Sequence, residues 1–316
     1  MQMKVSILMA VYNGENYLTE ALTSVINQSY SNIEIIICND GSTDSTRHLL
    51  DQYKNRDNIK IIHENHIGMV HAFNKAFEAC TGDAICFLAH DDVLPPDSIG
   101  ERVSYLKEKQ AGAIYCNGYT CTSEMKLNST LINCPKIVSW AQDKVQICRD
   151  NILPGGVLMI RRDIAERVFP IPEHLLLEDW WVVFNTLYYA GSIEYLDRSL
   201  FLYRLHGKND SGMPPVHDFD TFLRKHWKKH IDYYDQLLIQ LNRFDISDED
   251  KQSLRDVILI NKQVVENTLE GRYTLPSMKL IKSLGMSKYI CSQVTIPHKA
   301  YLFLPIFNFI KRVTGT

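Results

Sequence analysis

Over its first 120 residues the chain alternates short, almost wholly apolar runs with segments whose apolar positions recur at helical spacing. The run "KVSILMAVY" predicts a first strand. Asn13 then stands where a helix N-cap would, before a helix whose apolar face is Tyr17, Leu18, Ala21, Leu22, Val25 and Ile26. "IEIIICND" predicts a second buried strand, with "GSTDSTRHLLDQY" as the loop and helix behind it. "IKIIHE" predicts a third strand, residues 68–80 a helix, and "AICFLAH" a fourth strand that stops at Asp91 and Asp92. Apolar strands alternating with helices predict a mostly parallel sheet covered on both faces. Ligands of such α/β sheets bind beyond the carboxyl ends of the strands. Asn13, Asp40 and Asp91 all fall there, so they are expected to share one cleft.

From about 112 to 206 the pattern is less regular. "DWWVVFNTLYYAG" predicts a helix with an acidic start, and "SIEYLDRSLFLYRLH" a pair of strands. Beyond residue 217 the pattern is mostly helical, clearest in "FLRKHWKKHIDYYDQLL" and "DKQSLRDVILINKQVVENTLE". The expected division is therefore an α/β domain over 1–216 and a helical region over 217–316.

Composition narrows the class. With 45% hydrophobic and 22% charged residues the chain has the make-up of an ordinary globular protein. Its net charge of −3 gives no reason to expect a nucleic acid as partner. Residues 271–316, however, hold seven Lys or Arg and no Asp or Glu, an asymmetry that suits an anionic surface. The eight cysteines form no CxxC pair, which argues against a zinc site, and several lie inside apolar runs as small core residues. No signal peptide precedes the first strand and no run is long enough to span a bilayer, so a cytoplasmic protein is expected.

Five stretches carry candidate chemistry: "AVYNG", "CNDGSTD", "AHDDVLPP", "LEDWWVVFNTLYYAG" and "YRLHGKNDSG". Asn, Asp and Gly are common turn residues, so "NDGS" alone reads equally as a plain turn. Adjacent carboxylates at a strand end suit Mg²⁺ or Mn²⁺, which take hard oxygen ligands and leave positions for phosphate; the alternative is a solvated turn. Glu178 and Asp179 fit a helix start, where the dipole favours acids. They fit equally a general base beside Trp180, whose flat face could stack on a sugar. His206 by itself reads as an ordinary surface or core histidine.

In this order and spacing the five stretches resemble the inverting nucleotide-sugar glycosyltransferases of family 2, over roughly Val5 to Gly212. "DWWVVFNTLYYAG" followed by "YRLHGKNDSG" looks most like the rhamnosyltransferase-like branch. The resemblance implies a GT-A type domain with a Rossmann-like, mostly parallel sheet. It implies that Asp40 meets the nucleobase edge, with Ala10, Tyr12, Asn13 and Glu15 lining the nucleotide pocket. Asp91 and Asp92 would hold metal and ribose, and His206 would complete the shell of a Mg²⁺ or Mn²⁺ ion. Asp179 would be the catalytic base and Glu178 its acidic neighbour. Gly155 and Gly156 in "ILPGGVLMI" would border the acceptor, or simply bend a strand.

The implied reaction is single-displacement sugar transfer from a nucleoside diphosphate donor, with dTDP-rhamnose and a UDP-hexose the first candidates, to a glycan or lipid-linked acceptor in surface polysaccharide (O-antigen or capsule) synthesis. One position departs from the family. Ala89 stands where the metal element usually begins with an aspartate, which leaves room for a catalytically silent nucleotide-sugar or glycan-binding protein. A dinucleotide-dependent oxidoreductase is disfavoured because "AVYNGENY" lacks GxGxxG. A nucleotidyltransferase is disfavoured because no glycine- and lysine-rich phosphate loop is present. The tail "IPHKAYLFLPIFNFIKRVTGT" sets eight aromatic or aliphatic residues between Lys299 and Lys311–Arg312. That arrangement suits peripheral docking on the inner face of the cytoplasmic membrane; alternatively the tail closes the helical core or joins copies in a homo-oligomer.

Overall fold

A computed structural model describes residues 2–132, 135–149, 152–173, 175, 177–206, 219–244 and 246–270. The tail from residue 271, with the expected membrane contact, lies outside the described residues, as do positions 207–212 of "YRLHGKNDSG".

The elements in chain order are β1 (Val5–Val11), α1 (Leu18–Ile26), β2 (Ile33–Asp40), α2 (Thr46–Asp51), β3 (Ile59–Glu64), α3 (Met69–Ala79), β4 (Ala84–Phe87), α4 (Ser98–Glu108), β5 (Ala113–Cys121), β6 (Leu127–Thr130), α5 (Pro135–Trp140), α6 (Lys144–Arg149), a 3-10 turn (Gly155–Val157), β7 (Leu158–Arg161), α7 (Arg162–Val168), α8 (Glu178–Ala190), β8 (Glu194–Arg204), α9 (Phe219–Gln240) and α10 (Asp248–Leu269). The eight strands form one mixed sheet in the order β3-β2-β1-β4-β7-β5-β6, with β8 paired to β5. The β3-β2-β1-β4 half is parallel; β7 runs antiparallel to both β4 and β5. All seven residues of β1 and all four of β4 are buried. Two apolar faces explain that burial, and they explain why the polar residues gather at the strand ends. The six described cysteines are free and buried, as expected of core residues.

Three expectations meet a different structure. Asn13 is not an N-cap: α1 starts five residues later at Leu18, and the Asn13 side chain accepts the Thr43 N–H instead. "SIEYLDRSLFLYR" is one strand rather than two. The exposed Asp197 and Arg198 mimic a turn in sequence, but the irregularity is a register shift against β5. Helix α4 was not anticipated; its apolar face is only Ile99, Val103 and Leu106, and the rest of its buried side is Ser98 and Arg102.

The chain divides into two compact units. One comprises residues 1–144, 153–174 and 178–210; the other comprises 145–152, 175–177 and 211–316. Within the second unit Tyr233, Tyr234, Leu237, Leu241, Leu254, Ile258 and Val265 are buried, and Lys262 pairs with Asp235.

At the amino ends of the parallel strands a single carboxylate does the stitching. Glu34 accepts bonds from Ser6 Oγ (2.5 Å), Thr81 N (2.5 Å), Thr81 Oγ1 (2.9 Å) and Gly82 N (3.0 Å), and pairs with Lys4. Burial pushes this carboxyl up, but the bonds from Lys4, Ser6 and Thr81 outweigh it and hold the pKa at about 2, against an ordinary 4.5. A depressed folded-state pKa contributes stability above the unfolded value, lost as pH falls through the folded one. Glu34→Gln should therefore melt lower than wild type at pH 7. The gap should close between about pH 4.5 and 2, as read by thermal melts across that range.

Candidate functional site

The loops that follow β1 and β2 are tied to each other. Asn13, at φ 50°, donates its N–H to Ser42 Oγ (3.0 Å) and accepts from Thr43 N (2.8 Å). Gly14 N donates to Thr46 Oγ1 (2.8 Å). Glu15 N donates to Asp44 Oδ2 (3.1 Å), and Glu15 Oε2 accepts from Ser45 N (3.0 Å). Asn13 and Glu15, expected in the nucleotide pocket, use their side chains to hold the loop after β2, and Ala10 is buried. Tyr12 is exposed and stacks on His66 with ring centroids 4.1 Å apart.

Asp40 is turned inward, its side chain only 3% exposed. Its oxygens accept from Ile67 N (2.8 Å), Gly68 N (3.0 and 3.2 Å) and His66 Nδ1 (3.0 Å). The carboxylate expected at the nucleobase edge is committed to the loop between β3 and α3.

After β4 the two adjacent aspartates part company. Asp91 Oδ2 lies 2.9 Å from His206 Nε2, so the strand-end carboxylate and the histidine meet as expected although 115 residues apart. Asp92 is buried and its Oδ1 accepts the backbone N–H of Arg204 (3.0 Å). Burial, and then the neighbouring Asp91, push the Asp92 carboxyl well above the usual carboxylate range. Both carboxylates were expected on one ion; only Asp91 is on the histidine's side, because Asp92 is consumed in holding β8.

Arg204 was not singled out from the sequence, yet it organises this corner. Only 1% exposed, it donates Nε to Asp91 O (2.7 Å) and its two terminal nitrogens to Ser123 O and Glu20 Oε2 (each 2.6 Å). Its guanidinium lies 4.6 Å from the Tyr17 ring, and Tyr17 in turn stacks on His206 at 4.8 Å. His90 packs against Gly14: a Cβ there would sit 2.8 Å from the ring, so any other residue would force the ring to move. Burial lowers the His90 pKa.

Asp179 and Glu178 form the first turn of α8, where the helix dipole favours their charge. Asp179 Oδ1 accepts the Trp180 N–H (2.8 Å). A Cβ on Gly155 would lie 3.5 Å from Asp179 Cβ and 4.0 Å from Phe87 Cβ, so Asp179 sits beside the carboxyl end of β4. Gly156 has no room for a side chain, since a Cβ would meet Phe201 at 2.4 Å; its carbonyl accepts from the buried Arg102 (3.0 Å). Trp180, expected to offer a stacking face, is fully buried. It is a core residue because α8 packs that side inward.

One member of the donor set, the Asp91 carboxylate, suits a hard divalent cation. Among the described residues no group of three or more His, Cys, Asp and Glu could hold an ion by itself. Asp91 and His206, 2.9 Å apart, would supply one carboxylate and one imidazole; the carboxylate suits Mg²⁺ or Mn²⁺, with phosphate oxygens and water in the remaining positions, whereas the imidazole nitrogen suits a softer first-row ion than Mg²⁺.

The family model for glycosyl transferase family 2 matches residues 6–169, just over half of the chain, from the second residue of β1 through α7. The chain belongs to this family. An uncharacterized glycosyltransferase of Nostoc sp. is 30% identical over 218 residues, 66% of this chain and 66% of the relative, so the chain spans a little under two thirds of that relative's length. Among solved structures, residues 1–349 of S. aureus TarS in complex with UDP superpose with a TM-score of 0.61 at 17% identity, over 99% of this chain and 92% of that one. The mannosyltransferase PcManGT of Pyrobaculum calidifontis, in complex with GDP-Man and Mn²⁺, gives 0.57 at 15% identity over 100% and 88%. These likenesses establish the GT-A-like fold for this family 2 member.

Removing one partner from a buried charge network typically costs about 3–5 kcal/mol. Arg204→Met should lose stability of about that size in urea unfolding. Glu20→Gln, whose carboxylate is half exposed, should cost no more than about 1 kcal/mol.

Proposed function

We propose that the protein is a metal-dependent inverting glycosyltransferase that moves a sugar from a nucleoside diphosphate to an acceptor hydroxyl. The observation that carries this reading is the convergence at one sheet edge of the Asp91–His206 pair and of Asp179, beside the carboxyl end of β4. Family membership supports sugar transfer as the reaction, and the nucleotides in the TarS and PcManGT structures support a nucleoside diphosphate donor. The Mn²⁺ in PcManGT supports a divalent ion.

In this reading Asp91 and His206 would hold Mg²⁺ or Mn²⁺, and the ion when bound supplies charge neutralisation for the diphosphate leaving group. Asp92 and Arg204 keep Asp91 and His206 in place. Asp179 takes the proton from the acceptor hydroxyl as it attacks the anomeric carbon opposite the leaving group, so the configuration inverts. Its place in the first turn of α8, with Trp180 N–H on Oδ1, fixes its orientation. Glu178 is its acidic neighbour, and Gly155, next to Asp179, would border the acceptor.

The donor is dTDP-rhamnose or a UDP-hexose, and the acceptor a glycan or a lipid-linked sugar of bacterial surface polysaccharide synthesis. Among the described residues no helix is long and apolar enough to cross a membrane. We propose that the basic, aromatic tail instead docks the enzyme peripherally on the cytoplasmic face. A silent nucleotide-sugar or glycan-binding protein of the same fold is the second reading, favoured by Ala89.

Asp179→Asn should lower transfer by roughly 10²–10⁴-fold while nucleoside diphosphate affinity, measured by calorimetry, stays within about twofold. Wild-type-like turnover in that variant would remove Asp179 as base. A wild type inert on every nucleotide-sugar donor tried with Mg²⁺ or Mn²⁺ would favour the silent reading. Truncation after Ser287 should abolish flotation with anionic vesicles but leave donor hydrolysis intact; equal flotation of both forms would exclude the tail as anchor.

A further inference from the structure

Helix α4 carries a fully buried arginine, Arg102, where a charged side chain ordinarily pairs with a carboxylate. Among the described residues no carboxylate pairs with it. Its terminal nitrogens donate instead to main-chain carbonyls. Nη1 donates to Gly156 O (3.0 Å) and Leu158 O (3.5 Å), and Nη2 to Leu200 O (3.0 Å). Nε has no hydrogen-bond partner. The thiols of Cys86 and Cys116 supply no counter-charge, since burial raises their pKa values against the pull of the guanidinium.

These carbonyls belong to two segments that lead to different parts of the site. Gly156 and Leu158 lie in the 3-10 turn and at the start of β7, next to Gly155, whose Cβ position is 3.5 Å from Asp179 Cβ. Leu200 lies in β8, the strand that ends at Arg204 and leads to His206. Turn and strand also touch directly, because Gly156 sits against the Phe201 ring with no room for a Cβ. The Leu200 carbonyl accepts a second bond from Ser98 Oγ (2.7 Å), at the start of α4. A guanidinium is planar and rigid, so donating from both ends of its fork holds turn and strand at one spacing. A carboxylate beside it would draw those donors away from the carbonyls, which accounts for a buried cation that bonds only to main chain.

We propose that Arg102 is a positioning residue for sugar transfer: it sets the spacing between the Gly155–Val157 turn beside Asp179 and the strand that delivers His206. This rests on the reading of Asp179 as the base. Arg102 makes its hydrogen bonds to main chain alone, so losing its fork misplaces the turn against the base without removing any group that binds nucleotide. A misplacement of about 1 Å by a substitution away from the chemistry can cost about 10²-fold in rate. Lysine keeps the charge, but a single ammonium on a flexible stem does not reproduce the fork.

Arg102→Lys and Arg102→Gln test this with Mn²⁺, uridine diphosphate as the binding probe, and UDP-glucose or dTDP-rhamnose as donor with water as acceptor. Calorimetry counts folded sites, and both variants should bind uridine diphosphate with wild-type stoichiometry and a Kd within about twofold of wild type. Donor hydrolysis should lose kcat by about 10–10²-fold in both at unchanged KM, with no rescue by lysine. Ser98→Ala removes only the second donor on Leu200 O and should hydrolyse donor as wild type does. Amide hydrogen exchange reads the clamp without turnover: peptides over 155–158 should exchange faster in Arg102→Lys, and those of β1 and β2 should not. Wild-type kcat in Arg102→Lys, a parallel loss of binding stoichiometry and kcat, a Ser98→Ala variant equally slow, or unchanged exchange over the turn would each overturn the proposal. A wild type that binds no uridine diphosphate and hydrolyses neither donor, with faster turn exchange in Arg102→Lys, would overturn the nucleotide-sugar reading and leave the clamp between turn and strand standing.

Discussion

The arrangement depends first on the burial of β1. All seven of its residues are packed between two layers, with β2 on one side and β4 on the other. A strand with no solvent face has nowhere to place polar groups except its ends. Because β2, β1 and β4 run parallel, their carboxyl ends coincide, and Tyr12, Asp40 and Asp91 are delivered to one edge. The amino ends are closed by Glu34, so chemistry has one side of the sheet available to it.

At that edge, order is bought with buried charge. Arg204 joins α1, the turn after β4, the turn before β6 and β8 through one guanidinium and its own backbone. Asp92 and Asp40 are likewise turned inward, each used to hold a segment rather than to face solvent. The groups left near the surface, His66 beside Tyr12 and the Asp91–His206 pair, are positioned by those buried ones.

Much of this was legible in the sequence. Apolar periodicity located β1 to β4 with α3 and α8, and the five short stretches located the family. What could not be read were the directions of side chains. Asp91 and Asp92 are adjacent in sequence, but a strand-end turn sends one toward His206 and the other to Arg204 N. Asp40 and His66 are 26 residues apart, and the bond that redirects Asp40 appears only once the loop folds back over Gly41. Arg204 and Glu20 are 184 apart, beyond any local pattern. Trp180 looked available because aromatic residues at a helix start read alike whether buried or exposed; packing of α8 alone decides it.

We propose that Asp91 and His206 share a cation with a nucleoside diphosphate at the carboxyl ends of β1, β2 and β4. The most direct test is a crystal structure of the protein with Mn²⁺ and uridine diphosphate, with anomalous diffraction collected to locate the metal. The expected result is an anomalous peak bound by Asp91, His206 and diphosphate oxygens, with the base beside Tyr12. A peak held by other residues, or a nucleotide bound away from that edge, would contradict it.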